Sequence, residues 1–224
     1  MPSSLRRLIA ARKTEGFQAY VVSVVSTGGA LKLIAIAGGT ASGKSTISKR
    51  LVETLGDQAA HLKHDWYYKP TPGGDARVLN HDHPDVLETR LLVTHLDALR
   101  RGETIHAPHY DFAICTRHPG KVIPPRPIIV VEGILLLADA ALREQFDLKV
   151  FMTAPDDIRL GRRILRDVNK RGQTLEAVIT KYTATVRPMH EQFVVPSAAH
   201  AHLTLDGTTP VEGHVQSILN HLGG

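Results

Sequence analysis

What this chain has little of narrows its nature first. It contains one cysteine, Cys115, in 224 residues, which excludes an intrachain disulfide and any zinc site built from several cysteines, and suits a reducing, cytoplasmic setting. No run of eighteen apolar residues occurs, so no membrane-spanning helix and no membrane partner are expected. Internal repeats and low-complexity tracts are absent as well. The net charge is +5 and the pI near 9.4, yet no helix-turn-helix, RNA-binding or zinc-finger pattern accompanies that charge, so nucleic acid is not an expected partner. Most of the excess falls within residues 1–30, where Arg6, Arg7, Arg12 and Lys13 are opposed only by Glu15. That stretch reads as an N-terminal extension. It has an apolar piece at 20–25 but no long apolar core followed by a small-residue cleavage site, so it is not read as a targeting peptide.

Histidine is abundant, at 13 residues. His81 with His83, and His200 with His202, could each present two imidazoles on one side of an extended chain, but neither pair has a third ligand at a telling spacing, so a histidine-bound transition metal is not expected. A hydrophobic content of 42% in a chain of this length is enough for a single cored domain over residues 31–224.

The stretch that organises the rest is Gly38-Gly39-Thr40-Ala41-Ser42-Gly43-Lys44-Ser45, followed by Thr46. It has the form G-x-x-x-x-G-K-S between an apolar strand, 31–37, and a helix from Ser45 to Leu55. In that context the glycine-rich backbone turns its N–H groups onto phosphate oxygens at a helix N-terminus, Lys44 reaches the outer phosphates, and the Ser45 hydroxyl suits Mg²⁺.

The remaining pattern predicts an α/β fold. Strands at 61–64, 127–131, 146–152 and 202–205 join the first in a mostly parallel five-stranded sheet with helices on both faces. A helix over 86–101 carries leucines at 87, 91, 92, 96 and 99 on one face. Residues 104–124 read as a small antiparallel hairpin insert, 155–172 as a basic helical lid, a long helix runs from Thr174 to about Val194, and a closing helix runs from Val211 to Leu222. Asp65 and Glu132 each fall at the C-terminal end of a strand, where open parallel sheets bind ligands. There Asp65 can accept the proton of an attacking hydroxyl and help hold Mg²⁺, and Glu132 can act as an outer partner of the same ion. Asp82 is a candidate for sugar hydroxyls. Arg159, Arg162, Arg163 and Arg166 share one side of the lid helix by spacing. Such a row is either a solvated face or a cover that offsets charge on a transferring phosphoryl group.

From about Leu33 to Leu219 the chain resembles the uridine kinase (uridine-cytidine kinase) family, which is related to phosphoribulokinase. The matching segments are the phosphate loop through Thr46, Asp65 with Tyr67-Tyr68-Lys69, Asp82-His83-Pro84-Asp85, Tyr110-Asp111-Phe112, Glu132-Gly133-Ile134-Leu135, Arg162-Arg163 with Arg166-Asp167 and Arg171-Gly172, and Thr185-Val186-Arg187-Pro188-Met189. The resemblance implies a P-loop kinase fold. It also implies transfer of the γ-phosphate of ATP or GTP, with Mg²⁺, to the 5′-hydroxyl of uridine or cytidine, and a tetrameric assembly. Carried over by position, Lys44 and Asp65 are catalytic, Arg166 and Arg171 are lid arginines on the phosphates, and Ser45, Asp65 and Glu132 are metal partners. Asp82 and Arg163 become sugar-side contacts, while Tyr68, Tyr110 and Phe112 belong to the nucleoside pocket.

The sequence departs from the family pattern in that pocket. Cys115 stands where the family has a pyrimidine-reading histidine, His81 where it has an aromatic, Gln173 where it has arginine, and Lys181 where it has glutamine. Two further expectations follow: a kinase of the same superfamily acting on another nucleoside or a sugar phosphate, or a nucleotide-binding module without acceptor chemistry.

Overall fold

The computed structural model describes residues 30–74 and 79–223. The expected 1–30 extension therefore lies almost wholly outside the described residues, as does part of the Pro70–Asn80 loop.

Five parallel strands form the sheet: β1 (Lys32–Gly38), β2 (Ala59–Lys63), β5 (Ile128–Glu132), β6 (Leu148–Thr153) and β7 (Leu203–Asp206), in the order β2-β5-β1-β6-β7. Between β2 and β5 the chain leaves the sheet to form a separate antiparallel pair, β3 (Ile105–Asp111) with β4 (Thr116–Ile123). β1 sits at the centre because six of its seven residues, all but Lys32, are apolar or glycine and buried, as a strand covered on both faces requires. Its alternating side chains divide the core. Leu33, Ala35 and Ala37 pack on one face with the leucines of α2 (Thr89–Arg100) and the hairpin. Ile34 and Ile36 pack on the other with α1 (Lys44–Leu55) and the closing helix. Of the leucines expected to be core, 87, 92, 96 and 99 are buried and Leu91 is partly so.

α3 (Ala140–Arg143) is a single turn capped by Asp139. The lid helix α4 (Asp156–Arg171) ends at Gly172, in the left-handed conformation at φ 63°. After it comes α5 (Leu175–Lys181), and the expected long helix does run on from there, as far as His200, but not as a regular α-helix. Two π turns, Tyr182–Val186 and His190–Val194, interrupt it. Each lies just before a proline, Pro188 or Pro196. A proline has no N–H to offer the carbonyl four residues back and its ring crowds that carbonyl, so the turn preceding it widens. The closing helix α6 is Val211–Gly223. Among the described residues no helix is long and apolar enough to cross a membrane.

Candidate active site

The C-terminal ends of β1, β2, β5, β6 and β7 lie along one edge, and the site is built there. β1 ends at Gly38 with φ +138°; a Cβ at this position would lie 2.4 Å from the Met152 carbonyl oxygen on β6, so only glycine permits the turn. The loop closes at Gly43, and no side chain caps α1, which leaves the first N–H groups of that helix for an anion. Lys44 Nζ donates to the Gly39 carbonyl at 3.3 Å. Burial lowers the pKa of Lys44, while the charges of Asp65, Glu132 and Asp82 draw it back up.

Asp65 lies in the 3₁₀ turn His64–Tyr67 that follows β2 directly. Burial raises its pKa; Lys44 and Lys63 oppose that shift, while Glu132 and Asp82 add to it. A raised pKa makes Asp65 a stronger proton acceptor than a free aspartate. Glu132, the last residue of β5, is 4% exposed. Its Oε1 is 3.3 Å from Lys63 Nζ and 3.5 Å from His61 Nε2, and its Oε2 is buried with no hydrogen-bond partner. A buried carboxylate oxygen with a free lone pair beside Lys44 and Asp65 fits a hydrated Mg²⁺. Among the described residues no group of three His, Cys, Asp or Glu could hold a metal by itself, so phosphate oxygens and Ser45 would have to complete the coordination.

A cavity of about 450 Å³ opens beside the loop, lined by Lys44, Ser45, Arg162, Arg166, Thr208 and His214 among others; its size suits a nucleotide. Residues 207–209 and His214 belong to the cavity wall although no motif in the sequence marks them. Gly207 lies against the loop so closely that a Cβ there would fall 1.8 Å from the Ser42 carbonyl oxygen. Arg162 Nη1 donates to the Gly207 carbonyl at 3.0 Å, and His214 Nε2 is 2.8 Å from both the Asp206 carbonyl and Thr209 Oγ1. The signal was available: Asp206-Gly207-Thr208-Thr209 is a turn sequence at the end of the last strand, on the ligand-binding edge.

The arginines on that side of the lid helix differ in burial. Arg162 and Arg166 line the cavity, whereas Arg159 and Arg163 are buried at 2% and 8% exposure. Arg159 Nη2 pairs with Asp156 at 2.5 Å, and Arg163 Nη1 donates to Thr40 Oγ1 in the phosphate loop at 3.2 Å. Arg163, Arg166 and Arg171 converge on one fully buried carboxylate, Asp167, at 3.3, 2.7 and 3.2 Å. Asp167 was visible in the sequence only as part of a motif. Its carbonyl also accepts from the backbone of Gly172 and of Gln173, tying the end of the lid helix to the same point.

Tyr68, His81, Tyr110 and Phe112 form a ring cluster, with Tyr110–Phe112 centroids 5.0 Å apart and Tyr68–Tyr110 and His81–Phe112 centroids 5.3 Å apart. Tyr68 Oη donates to the His81 carbonyl at 2.6 Å. His81 Nδ1 lies 3.1 Å from the Leu79 carbonyl, which makes Nδ1 the protonated nitrogen and leaves Nε2 to accept from Tyr110 Oη at 3.5 Å. Burial lowers the His81 pKa to about 4, so the ring is neutral near pH 7. Asp82 adjoins this cluster; burial raises its pKa against the opposing charges of Arg163, Lys181, Lys44 and Arg166. Lys181 is half-buried, and burial lowers its pKa, with Asp82, Arg163 and Cys115 also in its field. Cys115 was expected among the substrate contacts, but it has no exposed surface: it lies in the core, at φ +50°, with Sγ 3.9 Å from the Phe112 carbonyl. The reason is the hairpin turn, whose left-handed residue directs the thiol inward beneath Tyr110.

The sequence profile of the Phosphoribulokinase / Uridine kinase family matches residues 33–212. The uridine kinase of Chloroflexus aurantiacus is 43% identical over 180 residues, covering 78% of this chain and 86% of that protein. The uridine kinase of Clostridium perfringens is 41% identical over 186 residues, covering 81% and 88%. Among solved structures, a possible uridine kinase from Bacillus stearothermophilus superposes with a TM-score of 0.59 at 15% identity, over 87% of this chain and all of the other. Phosphoribulokinase from Rhodobacter spheroides superposes with a TM-score of 0.55 at 13% identity, over 81% and 74%.

Proposed function

The chain belongs to the phosphoribulokinase and uridine kinase family of P-loop phosphotransferases, and we propose that it moves the γ-phosphate of ATP or GTP to the 5′-hydroxyl of a pyrimidine nucleoside, uridine or cytidine. The observation that carries this reading is the convergence of Lys44, Asp65, Glu132 and Asp82 in one electrostatic neighbourhood, with a nucleotide-sized cavity at the loop and an aromatic cluster adjoining Asp82. The relatives named uridine kinase favour a nucleoside acceptor over a sugar phosphate, and a chemically active chain over a bare nucleotide-binding module.

In this mechanism the loop N–H groups and Lys44 orient the triphosphate. Asp65 takes the proton of the acceptor hydroxyl as that oxygen attacks, and its raised pKa matches the task. Asp82 and Arg163 hold the ribose hydroxyls, while Tyr68, Tyr110 and Phe112 stack on and flank the base. Arg166 and Arg171 offset the charge that spreads over the transferring group. Gln173 and Lys181 stand at the edge of the acceptor pocket. Ser45, Asp65 and Glu132 would hold Mg²⁺, which when bound neutralises charge between the outer phosphates.

The test is ADP release by the purified chain with uridine, cytidine, other nucleosides and ribulose 5-phosphate in turn. Release that depends on uridine or cytidine is the expected result. A best rate with ribulose 5-phosphate would overturn the acceptor assignment, and release independent of any acceptor would make the chain a hydrolase.

A further inference from the structure

Phosphoryl transfer through Lys44 and Asp65 leaves one lysine beside Glu132, Lys63, without a role. β2 and β5 pair in parallel with Lys63 directly opposite Glu132, so both side chains leave the same face at the ligand-binding edge. Lys63 Nζ lies 3.3 Å from Glu132 Oε1, and its charge is also felt at Asp65. His61 touches the same oxygen at 3.5 Å. Two carboxylates, Asp65 and Glu132, are brought close in a partly buried site, where unpaired charge is costly. No third His, Cys, Asp or Glu among the described residues joins them in a group that could hold a metal, so free magnesium binds there weakly at most and a neighbouring charge can tip the balance.

We infer that Lys63 is a resident counter-cation of Glu132, holding that carboxylate against free magnesium until the ion arrives already bound to a nucleotide. Three observations carry this. Lys63 occupies one oxygen of Glu132 and leaves the other, Oε2, buried and unpartnered. The lysine side chain is 34% exposed, so it can swing outward when a divalent charge enters. A divalent ion on Glu132 would stand within a few ångströms of the ammonium, where like charges repel strongly in a partly buried site. With Lys63 paired to Glu132 and Lys44 in the field of Asp65, both carboxylates are offset without metal and free Mg²⁺ gains little by binding. The triphosphate tips the balance by bringing its own oxygens and negative charge. The inference rests on the proposed role of Glu132 as a metal partner, but it does not depend on which acceptor is used.

The experiment is magnesium titration of the full chain without nucleotide or nucleoside, followed by calorimetry and by the melting temperature. For the parent chain the expected result is weak binding and a small rise in Tm. Lys63→Met should melt lower without metal, recover as Mg²⁺ is added, and bind free Mg²⁺ about tenfold or more tightly than the parent. Lys63→Arg keeps the charge and should behave like the parent, and Lys63→Met with Glu132→Gln should lose the magnesium response. If Lys63→Met does not fold, Lys63→Gln is read in the same way. Equal magnesium affinity in the parent and the Lys63→Met chain would overturn the inference, as would an equal increase in Lys63→Arg. Neither readout involves phosphoryl transfer, so a failure of the nucleoside assay and a failure of this titration are separable.

Discussion

The nucleotide side and the acceptor side of this site are built from different materials. Around the phosphate loop the fit is backbone against backbone: Gly38 lies against the Met152 carbonyl, and Gly207 against that of Ser42. Around the acceptor it is ring against ring: Tyr68 just after a 3₁₀ turn, His81 in a loop, Tyr110 on a hairpin strand and Phe112 in the hairpin turn, with Phe112 39% exposed. Phosphates are the same in every nucleotide, so main-chain N–H groups suffice and almost no side chain can be added. An acceptor must be distinguished by its edges, which requires side chains and leaves them open to replacement.

The strongest test of that contrast is Asp65→Asn, which keeps the shape and removes the proton acceptor. It should lower kcat by about 10³-fold or more while nucleotide affinity stays near normal, as read from steady-state kinetics beside equilibrium ADP binding. Lys44→Ala should cost a comparable amount in kcat and weaken the nucleotide as well. Next comes Gly207→Ala. The added methyl meets main chain, not the movable end of a side chain, so nucleotide affinity should fall by about 30-fold or more with acceptor KM little changed. Normal ADP binding by Gly207→Ala would mean that the nucleotide side yields to an added methyl and is not rigid.

Asp167→Asn probes the junction of the two sides. Three guanidiniums would lose their shared counter-charge, and kcat should drop about tenfold, with a raised KM for both substrates. Tyr110→Phe should act on the acceptor side alone, raising nucleoside KM a fewfold with nucleotide KM unchanged. An equal change in both would merge the two regions.

The smallest effect near neutral pH concerns stability. His64 is 1% exposed with neither ring nitrogen hydrogen-bonded, and burial lowers its pKa to about 4, against 6.5 for the free side chain. Below pH 6.5 the unfolded chain takes up this proton and the folded chain does not. Stability is therefore full above that pH and declines on acidification, by about 3 kcal/mol on reaching pH 4. Melting curves between pH 7.5 and 4.5 should show a steeper acid loss for the parent chain than for His64→Leu.

The nucleotide side was the more legible in sequence, and the reason is physical. A loop joining a strand to the next helix puts all its ligating groups within one short segment, so spacing alone exposes Lys44 and Ser45. Asp65 and Glu132 could be located because strand ends share an edge. Gly207 and Asp167 were harder, since their use depends on which distant backbone or guanidinium they meet, and no periodicity encodes that. Cys115, expected at the pocket, is fully buried, because one left-handed residue in a hairpin turn decides which way a thiol points. Pro188 and Pro196 do not by themselves specify the two π turns; a proline inside a packed helix can end it, kink it or widen it, and tertiary contacts choose among these.

Gly207 also bears on how the protein is made. A ribosome releases the phosphate-binding segment early, but the residue that presses against it emerges only after the lid helix and the last strand. The motif thus exists long before its mould is complete. Nucleotide cannot template the early stages of folding here; it can only reward a chain that has already brought its two ends together.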